Sequence, residues 1–145
     1  MNIKLIKVNE NLDYHIRILY ILLSKRKYNI SHLELPSYSA HKRFVVNSPY
    51  RVWYLIKKYE EFIGSLYITN DNIISINGEN IDIDDYEIIF KSALSNHDPL
   101  EPIKSVRNAN FLINVNPSNE ILIKFVKKMG MEHIQSSFLI KPRIK

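Results

Sequence analysis

The segment Asn116–Met131, which reads NPSNEILIKFVKKMGM, decides the fold that the sequence predicts. Its start, Asn116–Asn119, offers polar side chains that can cap a helix, and Gly130 suits the left-handed backbone that commonly ends one. A short apolar strand, Phe111–Val115, precedes this helix. After it, His133–Ile140 alternates in hydropathy, which predicts a last strand. This end of the chain therefore reads as strand, helix, strand.

The rest of the chain adds strands and helices in an order that predicts one mixed sheet. Alternating or β-branched runs indicate strands at Asn2–Val8, Arg51–Lys58, Phe62–Thr69 and Ile73–Asn77. Helical spacing and capping residues indicate helices from Asn11 or Asp13 to Lys25, from Ser37 or Ser39 to Asn47, and from Asp82 to Leu94. The order predicts a single α/β domain over residues 1–145, with a mostly antiparallel sheet of about six strands flanked by about four helices.

The composition excludes several classes of site. The 145 residues include no cysteine, which rules out a disulfide framework, a thiolate zinc site and a cysteine nucleophile. The five histidines have no partner at metal-binding spacing, so we expect no metal. No run approaches the ~18 apolar residues of a membrane span, and no signal peptide is evident, so we expect a cytoplasmic protein without membrane contact.

The charge of the chain gives a weaker indication about partners. Twenty lysines and arginines against 15 acidic residues leave a net charge of +5, which favours anionic partners. Because the basic residues are scattered, a purely solubilising role explains the excess equally well. No basic stripe or recognition helix stands out, so we expect no nucleic-acid binding.

Three motifs, taken in order, resemble the GNAT superfamily of acyl-CoA-dependent N-acetyltransferases. Asn116–Met131 resembles the family's strand-Asn-helix-"K-x-G-F" segment, with methionine in place of the usual phenylalanine. Phe62–Thr69 looks like the family's "x-I-G-x-x-x-L-x" strand. His41 with Phe44, followed by Ser48–Tyr54, is similar to the "E-H-x-x-W/F … Y-R-x-W" region of members that acetylate nucleotide-linked amino sugars for flagellin or surface-polysaccharide glycosylation. The resemblance covers nearly the whole chain and implies the GNAT fold.

The resemblance also implies where an acetyl-CoA donor would bind. In the family, two central strands splay apart and the pantetheine arm pairs with backbone groups of one of them, here Ile74, Ser75 and Ile76. A backbone N–H near Ser75 or Ile76 would stabilise the developing oxyanion. Asn119 matches a residue that bonds the pantetheine arm, although a simple helix N-cap explains it as well.

The acceptor side of the implied site includes one candidate base and three candidate substrate contacts. His41 is the candidate general base, because an unperturbed pKa near 6.5 suits proton transfer at neutral pH. A helix histidine without a chemical role is the alternative. Tyr50, Arg51 and Trp53 follow a turn beside the same pocket and are candidates for stacking on a nucleobase or sugar and for meeting a phosphate. Core packing for the aromatic residues and a solvated strand edge for the arginine remain open.

Two departures from the family pattern concern the donor. Where a glycine-rich loop should hold the diphosphate, residues 78–87 instead include five acidic side chains. These acids are expected to cap the following helix, which stabilises it by ~0.3–1 kcal/mol per charge, and also to repel a diphosphate. In addition, Val126 occupies the position of the tyrosine that protonates the leaving thiolate in many members, and the bulky Leu122 replaces a small residue.

Two function classes follow from these matches and departures. The first is an N-acetyltransferase acting on an amino group, with a nucleotide-linked amino sugar as a candidate acceptor and acetyl-CoA as the donor. The second is a catalytically inactive GNAT-like protein that has lost ordinary CoA binding and binds a ligand or partner instead. A donor carried on a carrier protein falls between the two. The resemblance also implies a homodimer, since members of the family often dimerise through their last strands.

Overall fold

The computed structural model describes residues 2–26 and 34–142 and contains a mixed α/β fold. In chain order its elements are β1 Ile3–Lys7, α1 Asp13–Ser24, α2 Tyr38–Val46, β2 Val52–Lys58, β3 Glu61–Ile68, β4 Ile73–Gly78, α3 Ile83–Asn96, β5 Leu112–Ile113 and α4 Glu120–Lys128. The predicted fold class is thus confirmed. No helix among the described residues is both long and apolar enough to cross a bilayer.

The five strands form one sheet in the order β1-β2-β3-β4-β5. The first four strands pair antiparallel, and β4 and β5 pair parallel. Trp53 on β2 lies opposite Tyr67 on β3, and Tyr67 lies opposite Ser75 on β4. Because directly opposed residues share a face of the sheet, these three side chains form a row across its centre.

Helices cover both faces of the sheet and create two apolar cores. On one face, α1 and α2 bury a cluster that includes Leu19, Val45 and Leu55. On the other face, α3 and α4 bury a larger cluster that includes Ile56 and Phe125. Leu55 and Ile56 are consecutive and both fully buried, as expected for a central strand whose side chains alternate between two covered faces.

The helix ends agree with most of the capping predictions. Ser37 caps α2 by accepting a hydrogen bond from the Ala40 N–H. At the end of α4, Gly130 has a φ of 69° and its N–H donates to the Lys127 carbonyl, as in a left-handed helix terminus. The prediction for α1 was wrong, because Leu12 occupies the N-cap position and makes no side-chain capping bond.

The predicted last strand, His133–Ile140, is also wrong. Residues 131–142 contain no strand, and Phe138, Leu139 and Ile140 are 82–89% exposed. The physical reason is that alternating hydropathy describes a residue pattern, whereas a strand also needs a neighbouring edge for its backbone hydrogen bonds. The edge strand β5, which precedes this segment in the chain, covers only two residues of the predicted Phe111–Val115. The sheet therefore has five strands among the described residues, rather than about six.

Candidate active site

The parallel pair of β4 and β5 separates shortly after it forms. The pairing joins Ile73 to Leu112 and Ile74 to Ile113, and it goes no further. Strand β4 nevertheless continues to Gly78. Among the described residues, the second half of β4 therefore has no strand partner on its β5 side, and this unpaired edge is the gap at which the family resemblance would place the donor.

The hydrogen-bond register shows which backbone groups of β4 face this gap. The Thr69 N–H donates to the Ile73 carbonyl at 2.9 Å, and the Glu79 N–H donates to the Ile63 carbonyl at 3.0 Å. Since bonded and non-bonded pairs alternate along an antiparallel ladder, the odd-numbered residues of β4 direct their N–H and C=O groups toward β3. The even-numbered ones direct theirs toward β5, and Ile76 lies beyond the last described β4–β5 pair.

The three predicted cofactor contacts on β4 therefore have different surroundings. Ile74 lies in the paired part of the strand, opposite Ile113. Ser75 lies opposite Tyr67 at a hydrogen-bonded position of the β3–β4 ladder, so its backbone groups are already used. Ile76 presents its backbone N–H and C=O to the gap, while its side chain is buried in the core. Of the three, Ile76 is the residue whose backbone groups lack a strand partner among the described residues.

Gly78, the glycine nearest to the expected phosphate loop, is required by the packing of β4. It lies directly opposite Gly64 on β3. A Cβ atom added at Gly78 would overlap the Ile63 carbonyl and would lie 2.7 Å from Ile81 Cδ1 and 2.9 Å from Gly64 Cα. The close approach of the two strands explains this glycine without any role in phosphate binding.

The N-terminus of α3, where a diphosphate would be expected, is occupied by carboxylates of the helix itself. Asp82 Oδ1 accepts the Asp85 N–H at 2.8 Å, and Asp85 Oδ2 accepts the Asp82 N–H at 3.2 Å. This reciprocal pair is a capping box. Asp85 Oδ2 also accepts a hydrogen bond from Lys58 Nζ at 2.8 Å, and that bond raises the pKa of Lys58. An incoming anion would have to displace these carboxylates.

The remaining acids of this region have separate roles. Asp84 is exposed in the first turn of α3. Glu87 forms ion pairs with Lys91 at 3.2 Å and with Lys128 at 3.6 Å, which lower its pKa. Glu87 therefore links α3 to the end of α4 and does not face the start of α3. The prediction that the acids cap this helix is confirmed for Asp82 and Asp85.

The start of α4 is built for packing and capping. Asn119 is buried, and its Oδ1 accepts the Leu122 N–H at 3.2 Å, so it is the N-cap residue. Leu122 is 2% exposed and belongs to the core, against which Val126 also packs. An aliphatic side chain cannot donate a proton, so α4 provides no general acid at position 126.

His41 lies between α1 and α2. Its side chain is buried, and its Nε2 lies 3.2 Å from the Ile16 carbonyl, which accepts a hydrogen bond from it. The ring also contacts Tyr20, with centroids 5.1 Å apart. Burial lowers the pKa of His41, against the opposing effect of the bond to Ile16. These contacts account for His41 as a residue of the helix interface, and its role as a base remains a prediction.

Tyr50, Trp53 and Tyr67 form an aromatic cluster on the α1–α2 face of the sheet. Tyr50 and Tyr67 stack with centroids 3.8 Å apart and planes 2° from parallel, and the Trp53 ring meets Tyr50 edge-on at 4.9 Å. Tyr67 lies opposite Ser75, so the cluster reaches β4 close to the gap. Sequence reasoning missed Tyr67, although the register of the predicted β2–β3 hairpin could have placed it opposite Trp53.

All three predicted substrate contacts line one open cleft of about 610 Å³. The end of β1, the end of α2 and the start of β2 form its walls, and its charged or polar lining residues include Lys7, Glu10 and Ser48. Tyr50 and Trp53 contribute aromatic surface. Arg51 also lines the cleft, and its Nη1 donates to the Asp98 carbonyl at 2.8 Å. The volume of the cleft lies within the range of small-molecule sites, although its lining is more polar than such sites usually are.

A second pair of titratable groups, Tyr54 and His97, was not anticipated from the sequence. Tyr54 Oη lies 2.7 Å from His97 Nε2. Burial raises the pKa of Tyr54, whereas burial together with the charges of Arg51 and Lys7 lowers the pKa of His97.

No group of histidine and carboxylate side chains among the described residues could hold a metal ion, and His32 lies outside those residues.

Comparison with known proteins identifies the same architecture in solved acetyltransferases. No protein-family model and no curated protein matches the sequence. The structure is similar to aminoglycoside N-acetyltransferase AAC(6')-Iy in complex with CoA, with a TM-score of 0.58 and 11% identity over 98% of this chain and 95% of the other. It is also similar to the aminoglycoside acetyltransferase HMB0005 from an uncultured soil metagenomic sample, with a TM-score of 0.55 and 13% identity over 99% of this chain and 100% of the other. The chain thus has the GNAT acetyltransferase fold.

Proposed function

We propose that the protein is an N-acetyltransferase that transfers an acetyl group from a thioester donor to an amino group of a small molecule. The observation that carries the proposal is the end of β4–β5 pairing at Ile74, which leaves the β5-facing backbone groups of Ile76 without a ladder partner among the described residues. The aromatic row from Trp53 through Tyr67 to Ser75 connects this gap to the cleft. A donor in the gap and an acceptor in the cleft would therefore approach each other.

Acetyl transfer to an amine requires mainly that the protein position the amine against the thioester. The amine nitrogen attacks the thioester carbonyl carbon, the carbon–sulfur bond breaks, and the amine proton passes to a base. The Ile76 N–H is the proposed donor to the developing oxyanion, and His41 is the proposed base. A thiolate with a pKa near ~8.5 is a good leaving group. Transfer can therefore proceed without the tyrosine that Val126 replaces.

The acceptor that we propose is a nucleotide-linked amino sugar of the kind used in surface-glycan or flagellin modification, and the donor is acetyl-CoA. Tyr50 and Trp53 offer aromatic surface for a ring, while Lys7 and Arg51 offer positive charge for phosphates in the same cleft. The diphosphate of acetyl-CoA is disfavoured at the start of α3, because the carboxylates of Asp85 and Asp82 already accept hydrogen bonds from two of its amides and repel an anion. The pantetheine arm is therefore the part of the donor that the protein holds.

The closed start of α3 also favours a second candidate function. A GNAT-fold protein that binds a ligand without catalysing transfer would tolerate the Asp82–Asp85 capping box, and it would not need a base at His41. This alternative predicts ligand binding in the cleft with no release of thiol from any acyl donor.

A thiol-release assay distinguishes the two candidates. The full chain is incubated with acetyl-CoA and a panel of amines that includes nucleotide-linked amino sugars and aminoglycosides, and released CoA is followed with a thiol reagent. Because the chain contains no cysteine, the protein itself gives no signal. Acceptor-dependent release supports the acetyltransferase. Release that stays at the no-enzyme rate with every acceptor, despite ligand binding, supports the binding protein.

A further inference from the structure

Two buried N–H donors in the aromatic cluster have no hydrogen-bond partner among the described residues. They are Arg26 Nε, just beyond the end of α1, and Trp53 Nε1 on β2. A buried donor left unpaired costs about 1–3 kcal/mol, and such groups are rare in native proteins. The acceptor atoms for both donors therefore lie outside the described residues.

The two donors belong to the same small region. The Trp53 ring contacts Tyr50 at 4.9 Å and Tyr67 at 6.5 Å between centroids. The Arg26 guanidinium lies close enough to Tyr50 and Tyr67 to interact electrostatically with both phenol groups. Burial and the neighbouring Tyr67 raise the pKa of Tyr50, so its hydroxyl stays neutral and does not compensate the guanidinium charge. The cluster therefore places one uncompensated cation beside two tyrosine hydroxyls.

The surrounding charges are mainly positive. Within the described part of the chain, no ion pair includes Arg26, Lys7 or Arg51. Lys7 and Arg51 line the same cleft as Trp53, and Glu10 is the one acidic residue among its described lining residues. Such a site attracts an anion and disfavours a polycation.

We propose that Arg26 and Trp53 form a subsite for an oxyanion, either a carboxylate or a phosphate, carried by the acceptor amine. A guanidinium presents planar, paired N–H donors that match a carboxylate or a phosphate. The indole N–H of Trp53 would donate a further hydrogen bond from a different direction. The proposal rests on the proposed function, because it assigns the acceptor's chemical class: an anionic amine rather than a polycationic one.

Calorimetric titration of the full chain tests the subsite without relying on catalysis. The probes are uridine 5′-diphosphate, inorganic phosphate and acetate at matched ionic strength, with uridine as the neutral comparison. We expect Arg26→Gln to weaken anion binding by about tenfold or more and Trp53→Phe by about threefold. Binding of phosphate groups or of acetate, each dependent on Arg26, identifies which oxyanion is recognised.

Two further variants control for loss of charge and loss of folding. Arg17→Gln removes a 70%-exposed arginine of α1 that pairs with Asp13 outside the cluster, and it should bind anions as the wild type does. Arg26→Lys keeps the charge without the planar donor pair and should recover only part of the affinity. Equal anion affinity in wild type and Arg26→Gln, or no binding of any anion at millimolar concentration, overturns the subsite. Failure of thiol release alongside Arg26-dependent binding counts against the acetyltransferase function instead.

Discussion

Lys58 on β2 and Asp85 on α3 are joined by a 2.8 Å hydrogen bond between Nζ and Oδ2, and Asp85 is only 4% exposed. The same carboxylate oxygen accepts the Asp82 N–H. One buried side chain thus fixes the start of α3 to the sheet and closes the position at which acetyl-CoA-dependent enzymes of this fold are expected to hold a diphosphate. The stability of the fold and the donor preference that we propose therefore depend on the same residue.

Replacing Asp85 with alanine should destabilise the protein by about 2 kcal/mol or more. The variant loses half of the capping box, leaves the Asp82 N–H without its acceptor, and leaves Lys58 with only its 4.0 Å ion pair to Asp82. Urea unfolding monitored by circular dichroism measures the change. Asp84→Ala is the matched control, since Asp84 is an exposed acid of the same turn, and it should change stability by less than about 0.5 kcal/mol. Similar losses in both variants would contradict this role of Asp85.

Acetyl-CoA and acetyl-pantetheine should serve as donors with efficiencies within about tenfold of each other. If the start of α3 held the diphosphate, charge-assisted hydrogen bonds of about 1.5–3 kcal/mol each would separate the two donors by more than about a hundredfold. The comparison is made as kcat/KM in the thiol-release assay, or as Kd by calorimetry. A preference for acetyl-CoA of about a hundredfold would show that a diphosphate displaces the carboxylates of the capping box.

Mild acid should destabilise the fold. Burial lowers the pKa of His15, His41 and His97, and His15 Nδ1 accepts the Asn9 N–H at 3.0 Å, a bond that protonation would break. The unfolded chain takes up these protons near pH ~6.5, whereas the native chain resists them. The free energy of unfolding should therefore fall as the pH drops below about 6.5, by up to about 1.4 kcal/mol per pH unit for each histidine.

Urea unfolding at several values between about pH 7.5 and about 5.5 checks this dependence. His15→Asn keeps an acceptor near the Asn9 N–H but cannot titrate, so it should flatten the slope. His133→Gln alters an exposed histidine and should keep the wild-type slope. Glu87, whose pKa is lowered, affects the free energy of unfolding only in more acidic solution, below the ordinary pKa of a glutamate. A stability that is constant or rises toward pH 5.5 would contradict the assignment.

Local capping signals explain why much of the fold could be predicted from the sequence. Asp82, Ser37 and Gly130 each act within one turn of their own helix, so their side chains and backbone conformations were readable without tertiary information. The gap beside β4 was predicted by family resemblance, but which residue faces it depends on the strand register. The register directs the backbone groups of Ile76 toward the gap and those of Ser75 toward β3. No local sequence pattern could have revealed this difference.

The sequence predictions that were wrong or incomplete also have specific physical causes. His133–Ile140 has the hydropathy of a strand but no partner edge among the described residues. Arg26 gave no local signal, because its importance arises only when the end of α1 meets Tyr50 and Tyr67 from other elements. His41 and Asn119 matched family positions, and the structure gives each a packing or capping contact that the motif could not reveal.

Hydrogen exchange at the Ile76 amide, measured by NMR with and without acetyl-CoA, tests the central claim that the donor binds to the open half of β4. We expect the donor to slow exchange at Ile76 by about tenfold or more. Exchange should change little at Ser75, whose backbone already bonds β3, and at Ile74, which lies in the paired part of the strand. Unchanged exchange at Ile76 in millimolar acetyl-CoA would contradict the account, because the gap would then not be the donor site.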